Sequence, residues 1–182
     1  MLITKSNPVG IDVSIQKFQS MLHSKLTDPD RWNNASTYRC YGRCYRNKKD
    51  KSHIAENYEG QKEYKEVYWD DSLSAISFFG ISSPVTHEVT EKANVHLIFF
   101  VDLAKVKPSI AHRADEEVRK DVMELFGKGV YGMTYKSMDL WIENVLREYP
   151  GSIRDERLKN VDMHPVHCFR FNFLSQYDIN KC

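Results

Sequence analysis

A chain of 182 residues with 26 Lys and Arg against 25 Asp and Glu, formal net charge +1, has no overall field to draw it to nucleic acid or an anionic membrane. With 41% hydrophobic residues and only 8 Gly and 6 Pro, it is excluded from the disordered and low-complexity classes and fits a single globular domain over residues 1–182. The longest apolar run, Val95 to Leu103, is broken by His96 and Asp102 and is far too short to span a bilayer.

Met1 to Pro8 lacks the continuous apolar core and the small-residue cleavage site of a secretory signal, so the sequence predicts a protein that is not secreted. Cysteines at 40, 44, 168 and 182 make no dense framework, which points to reduced thiols. The first periodic signal places Ile11, Ile15, Phe18, Leu22 and Leu26 on one helical face, with Asp12, Ser14, Lys17, Ser20 and Lys25 opposite. This predicts an amphipathic helix over about 11–27, stopped by Pro29 and the run Trp32 to Ser36.

From about 37 to 103 the period is two, with β-branched and aromatic residues between turn residues. Strands are predicted near 37–46, 53–58, 63–69, 73–80 and 94–103, with a hairpin turn at Glu59-Gly60-Gln61. The last of these strands is apolar on both faces at its centre, the mark of a strand covered on two sides. After Pro108 the helical period returns. Asp115-Glu116-Glu117 opens a helix over about 114–126, with Val118, Val122, Leu125 and Phe126 facing inward and Gly127 ending it.

A second helix is predicted over about 137–149, capped by Ser137, with Met138, Trp141, Ile142, Val145, Leu146 and Tyr149 as its apolar stripe. The closing strand, about 166–175, alternates Phe169, Phe171 and Phe173 with Arg170 and Asn172, which predicts one buried and one wet side. The predicted fold is therefore α+β: a mixed, mainly antiparallel sheet of about five to six strands, with three helices packed mainly on one face.

Several chemistries can be tested on the residues. Cys40 and Cys44, with His164, His167 and Cys168, supply zinc-type ligands. Strand residues four apart, however, sit about 13 Å from each other, too far to share an ion bound at about 2.0–2.3 Å. Glu63-Tyr64-Lys65, with Pro29-Asp30 upstream, has the outline of a PD-(D/E)xK nuclease, in which two carboxylates hold Mg²⁺ and the lysine steadies the attacking water. A three-residue pattern in a segment crowded with Glu and Lys is also what a solvated strand face shows. No nucleophile elbow is present, and Gly127 to Gly132 lacks the spacing of a phosphate loop. No catalytic residue, metal site or cofactor is assigned.

What remains is the alternation Tyr38-Arg39-Cys40-Tyr41-Gly42-Arg43-Cys44-Tyr45-Arg46, which runs into Lys48, Lys49 and Lys51. Residues 39–51 hold six Lys or Arg and one acid, while 56–72 and 115–124 lean acidic. Segregated patches of this kind let copies of one chain attract each other. Tyr, Trp and Arg are enriched where partners bury surface. Tyr38, Arg39, Tyr41, Arg43, Tyr45, Arg46 and Trp69 are therefore candidate interface residues, and Lys48, Lys49 and Lys51 a basic turn facing a partner or passing DNA. A competing account is a ladder in which the rings pack on the next strand under the arginine stems.

The stretches Asn7 to Asp12, Tyr41 to Arg46, Asp70 to Gly80 and Phe169 to Phe173, on a chain of this size and element order, resemble the small neck and tail proteins of tailed bacteriophages. The resemblance is to the tail-terminator and ring-protein type, and its texture is similar to the ring proteins of crAss-like phages. It implies a virion structural subunit, assembled in the host cytoplasm and repeated in a homo-oligomeric ring between portal and tail. Genomic DNA would thread the lumen without sequence-specific binding, and neither membrane nor cofactor would be involved. Such a ring closes through heterologous contacts, one face of each subunit on a different face of the next. The Mg-dependent nuclease and a generic intracellular interaction module are the alternatives.

Overall fold

The structure, a computed structural model, describes residues 1–33, 35–60, 63–87, 90–153 and 164–178. Its elements in chain order begin with β1 (Leu2–Ile3), α1 (Ile11–Leu26), β2 (Tyr38–Arg43), β3 (Tyr45–Lys49), β4 (Ser52–Gly60) and β5 (Glu63–Glu66). They continue with β6 (Ala75–His87), β7 (Thr90–Asp102), α2 (Leu103–Val106), α3 (Asp115–Phe126), β8 (Gly129–Val130), β9 (Met133–Asp139), α4 (Ile142–Val145) and β10 (Val166–Asp178).

This corrects the predicted fold of about five to six strands and three helices. Ten strands form a seven-stranded mixed sheet, ordered β1-β2-β6-β7-β10-β9-β8, and a separate three-stranded sheet β3-β4-β5, with four helices among the described residues. β1 and β8 are added to the predicted elements, and two misread segments supply the other extra strands. The predicted strand 37–46 divides at Cys44, whose amide donates to Phe79 O at 2.7 Å. Its first part pairs in parallel with β6, and its second pairs antiparallel with β4 in the small sheet. The predicted helix 137–149 is instead the end of β9 and the single turn α4. Met138 stands opposite Phe171 in the β9–β10 ladder, and Ser137, the expected cap, accepts from Asn172 Nδ2 at 3.2 Å. Strand pairing here overrides a locally helical spacing.

The sheet buries both of its faces. On one side α1 lays down Ile11, Ile15, Phe18, Leu22 and Leu26, all buried as predicted, and α3 adds Val118, Val122 and Phe126. They meet Val95, Leu97, Phe99 and Val101 of β7 and Phe169, Phe171 and Phe173 of β10. Phe18 is held edge-on by Phe79, Phe126 and Phe173, with centroids 5.4, 6.1 and 5.6 Å away. On the other side Ile98 and Phe100 of β7 pack with Tyr41, Cys44, Ala55, Val67 and Trp69 from β2 and the small-sheet region, and with Val145, Leu146 and Tyr149 around α4. β7 is fourth of the seven strands, which explains its two apolar faces.

The expected wet side of β10 is not wet at its centre. Arg170 is 1% exposed and gives both terminal nitrogens to the Glu148 carboxylate, the Nη2–Oε1 contact being 3.0 Å. Its Nε donates to Asn172 Oδ1 at 2.7 Å. An alternating pattern cannot distinguish an exposed arginine from one that meets a carboxylate on a covering segment. A buried guanidinium needs that partner, because stripping its water without pairing costs several kcal/mol.

Candidate docking surface

The tyrosine-arginine segment is built on two sheets, so its side chains go three ways. Tyr38 is fully buried on the α1 side, with its hydroxyl 2.7 Å from Ser77 Oγ and its ring edge-on to Trp32 at 5.6 Å. Tyr41 and Trp69 are buried on the opposite side, and Trp69 Nε1 donates to Asp71 Oδ1 at 3.2 Å. These three rings, expected at a docking face, hold the chain's own core together; for them the packing account prevails. Arg39, Arg43 and Tyr45 are half-buried, whereas Arg46, Lys48, Lys49 and Lys51 are exposed.

From Tyr45 onward the small sheet gathers a different aromatic group. β3 and β4 pair antiparallel, with Tyr45 opposite Glu56, and β4 and β5 place Tyr58 opposite Tyr64. Tyr45, Tyr58 and Tyr64 thereby share one face, the Tyr64 ring lying 5.7 Å from Tyr45 and 5.2 Å from Tyr58. The Arg43 guanidinium sits 4.9 Å above the Tyr45 ring, within cation–π range. Tyr64 is 51% exposed, and Tyr68, just past β5, is 53% exposed. Tyr58 and Tyr64, with the exposed Tyr68 beyond β5, are candidate docking residues that the sequence did not single out. Their crowding in one half of the chain was visible, but not the register that aligns them.

Charges border this face. Lys49 pairs with Glu66 at 2.6 Å and Asn47 donates to Glu56 Oε2 at 2.7 Å, so the sheet neutralises part of its own hairpin. At the tip Asp50 adopts φ 55, and Lys48 and Lys51 project without an ion-pair partner among the described residues. At the base, Asp12 of α1 is buried and accepts from Lys5 at 2.7 Å and Arg43 at 3.5 Å. The Asp12 hydrogen bond raises the Lys5 pKa. Gln19, also buried, donates its Nε2 to Ile3 O at 2.7 Å and Cys40 O at 2.8 Å. Asp12 and Gln19 thus tie β1, β2 and the root of the small sheet to α1; Asp12 had been placed on the solvent side of the helix.

The enzyme-like constellations are not assembled. Asp30 is exposed in the turn after α1, on the side of the main sheet where Trp32 packs, whereas Glu63 and Lys65 lie exposed on β5 across that sheet. The two halves of the nuclease pattern are therefore on opposite layers. Cys40 faces the α1 core, and Cys44 and Cys168 the other; a register shift between Cys40 and Arg43 breaks the shared face that a regular strand would give them. Burial pushes the Cys40 thiol up to about 11 and Cys44 well above its usual range, away from the thiolate that binds metals. Asp70 receives the Ser72 amide at 2.8 Å in an ordinary turn.

One cluster does carry strongly perturbed ionisations, a property shared by many active sites. His96 Nε2 lies 3.3 Å from Tyr149 Oη, close to the Arg170–Glu148 pair. Burial, then the Arg170 charge, brings His96 down to about 3. Burial, the largest single influence, would raise Glu148, but the hydrogen bond from Arg170, the neighbouring His96 and Arg170 charges and the Arg147 hydrogen bond together outweigh it and leave the carboxyl at about 2. His96, Tyr149 and Arg170 are each buried, so this cluster is a polar clasp that fastens the α4 segment to the sheet. A scan of family models, a search of curated proteins and a search of solved structures found no match to this chain.

Proposed function

We propose that this protein is a virion structural subunit of a tailed bacteriophage, forming a ring of the head-to-tail connector or tail around the DNA channel. The observation that carries the reading is the open face of the small sheet, where the Tyr45, Tyr58 and Tyr64 rings cluster beside a basic hairpin, with Arg43 over Tyr45 and the exposed Tyr68 just past β5. Exposed tyrosines beside arginine are the composition of interface centres. In this reading the tyrosine face docks on a neighbouring subunit of the neck, and Lys48 and Lys51 reach toward a partner or the passing DNA. Partners are copies of the chain and the adjacent portal or tail rings.

The Tyr64→Ser, Tyr68→Ser double variant tests it. Both side chains are about half exposed, so the variant should stay folded, with a cost of about 1–2 kcal/mol from the lost Tyr64 contacts with Tyr45 and Tyr58. Binding to the portal or tail ring of the same virus, followed by mass photometry of the mixture, should weaken by about 2 kcal/mol or more. Unchanged binding by a normally folded double variant would reject the tyrosine face as the docking surface.

A further inference from the structure

We infer that copies of this chain join head to tail by seating Trp141 of one copy in a groove between α1 and the β8–β9 turn of the next. This deepens the ring reading above and rests on it for its biological setting, but uses a different surface. Trp141 is 71% exposed, the most exposed large hydrophobic side chain among the described residues. It stands between the end of β9 and α4, on a segment that Arg170, Glu148 and the buried Val145 and Leu146 hold in place. A rigidly presented, solvated indole is the kind of anchor that dominates interface energetics.

The complementary feature lies elsewhere on the same molecule. Pro8, Val13, Met21 and Tyr131 line an open groove of about 560 Å³, with Lys17 and Ser20 on its wall. Tyr131 is 42% exposed and held at φ 48 in the β8–β9 turn, and the neighbouring Val9 is 56% exposed. β9 separates the two features, since the groove meets the turn before its first residue and Trp141 follows its last. Seven strand residues span roughly 20 Å, so Trp141 cannot fill the groove of its own chain. An apolar projection matched to a pocket at a different place on the molecule gives a heterologous contact, which closes into a ring if the rotation per subunit allows.

Charge selects a second copy as the occupant. Glu143, two residues from the indole, and Lys17, on the groove wall, are both exposed, and neither has an ion-pair partner among the described residues. Seating Trp141 brings an acid to the basic wall, whereas two grooves or two indoles brought together gain no such pair. One aromatic anchor covers about 150–250 Å², well short of the area of a stable dimer. The pairwise contact is therefore weak, and a closed ring, in which every subunit makes two, is much stronger than an open pair.

Sedimentation of the whole chain up to about millimolar concentration tests this. The weight-average mass should rise with concentration above the 21.3 kDa of one chain. Trp141→Ser and Lys17→Glu should each move that rise to at least tenfold higher concentration, and the Lys17→Glu, Glu143→Lys exchange should restore it. Circular dichroism of each variant confirms folding at these exposed positions. A mass that never rises, a rise untouched by Trp141→Ser, or an exchange that fails to restore it would each overturn the contact. Association that survives Trp141→Ser but is lost in the Tyr64→Ser, Tyr68→Ser variant would remove this contact and leave the ring reading standing. Trp141-dependent association by a chain missing from virus particles would do the reverse.

Discussion

Gly80 shows how tightly the polar clasp is built. A Cβ at this position would lie 2.0 Å from His96 Nε2 and 2.2 Å from Tyr149 Oη, distances no real contact tolerates. Gly80→Ala should therefore cost about 1–3 kcal/mol through overpacking, read as a lower denaturant midpoint at constant m; an unchanged midpoint would mean that the imidazole and phenol can separate freely. The same cluster sets a pH dependence. His96 has a folded value of about 3 against an ordinary 6.5, so its contribution is complete above pH 6.5 and is lost as pH falls toward 3. In that window the unfolded chain takes a proton that the native state refuses. Glu148, at about 2 against 4.5, adds a second loss that begins below pH 4.5. Between pH 6.5 and 4.5 stability should fall with a His96 share of at most about 1.4 kcal/mol per pH unit. His96→Gln should flatten this slope, leaving the smaller share of His23, whose pKa burial also lowers. An identical slope in the variant would contradict a neutral His96.

At the level of elements, Phe18 is the bulkiest of the five apolar residues by which α1 packs on the sheet, and three rings surround it. Phe18→Ala should cost about 3–5 kcal/mol, measurable by urea unfolding; a cost under 1 kcal/mol would mean that Ile15, Leu22 and Leu26, with the polar ties through Asp12 and Gln19, hold α1 without it. α1, α3, β7 and β10 were legible in the sequence because each is long and carries a regularly spaced apolar face, on both sides in β7. The small sheet was not legible as a sheet. A run of period two such as Tyr38 to Arg46 carries no mark of the point where it leaves one sheet for another; that point is fixed by the Cys44–Phe79 hydrogen bond and by pairing with β4, both made by distant residues. The 137–149 segment misled for a related reason. Ile142, Val145, Leu146 and Tyr149 are inward-facing as expected, but over a single helical turn and successive tight turns, while Met138 belongs to a strand. Of the seven candidate interface residues, Tyr45, Arg43, Arg39 and Arg46 retain exposed surface, and Tyr38, Tyr41 and Trp69 do not. Alternation reports which residues share a face; only the layers packed on either side decide whether that face is wet.

For the whole molecule, a sheet covered on both faces leaves its distinctive chemistry outside: a tyrosine face with a basic hairpin on the small sheet, and an exposed indole with an open groove at opposite ends of β9. Surfaces that differ from one another in this way suit a subunit placed in a repeating assembly, each meeting its own complement. With formal net charge +1, DNA in the lumen would pass without being gripped, since affinity for the backbone scales with the phosphates neutralised. If the proposal holds, a tailed phage encodes this chain, and the most direct test is to purify the particles of that phage and measure by quantitative mass spectrometry the copy number of this chain relative to the portal subunit. The ring account predicts that the protein is present at a fixed, symmetry-compatible ratio to portal and survives nuclease and high-salt washing. Its absence from washed, tailed particles would contradict that account.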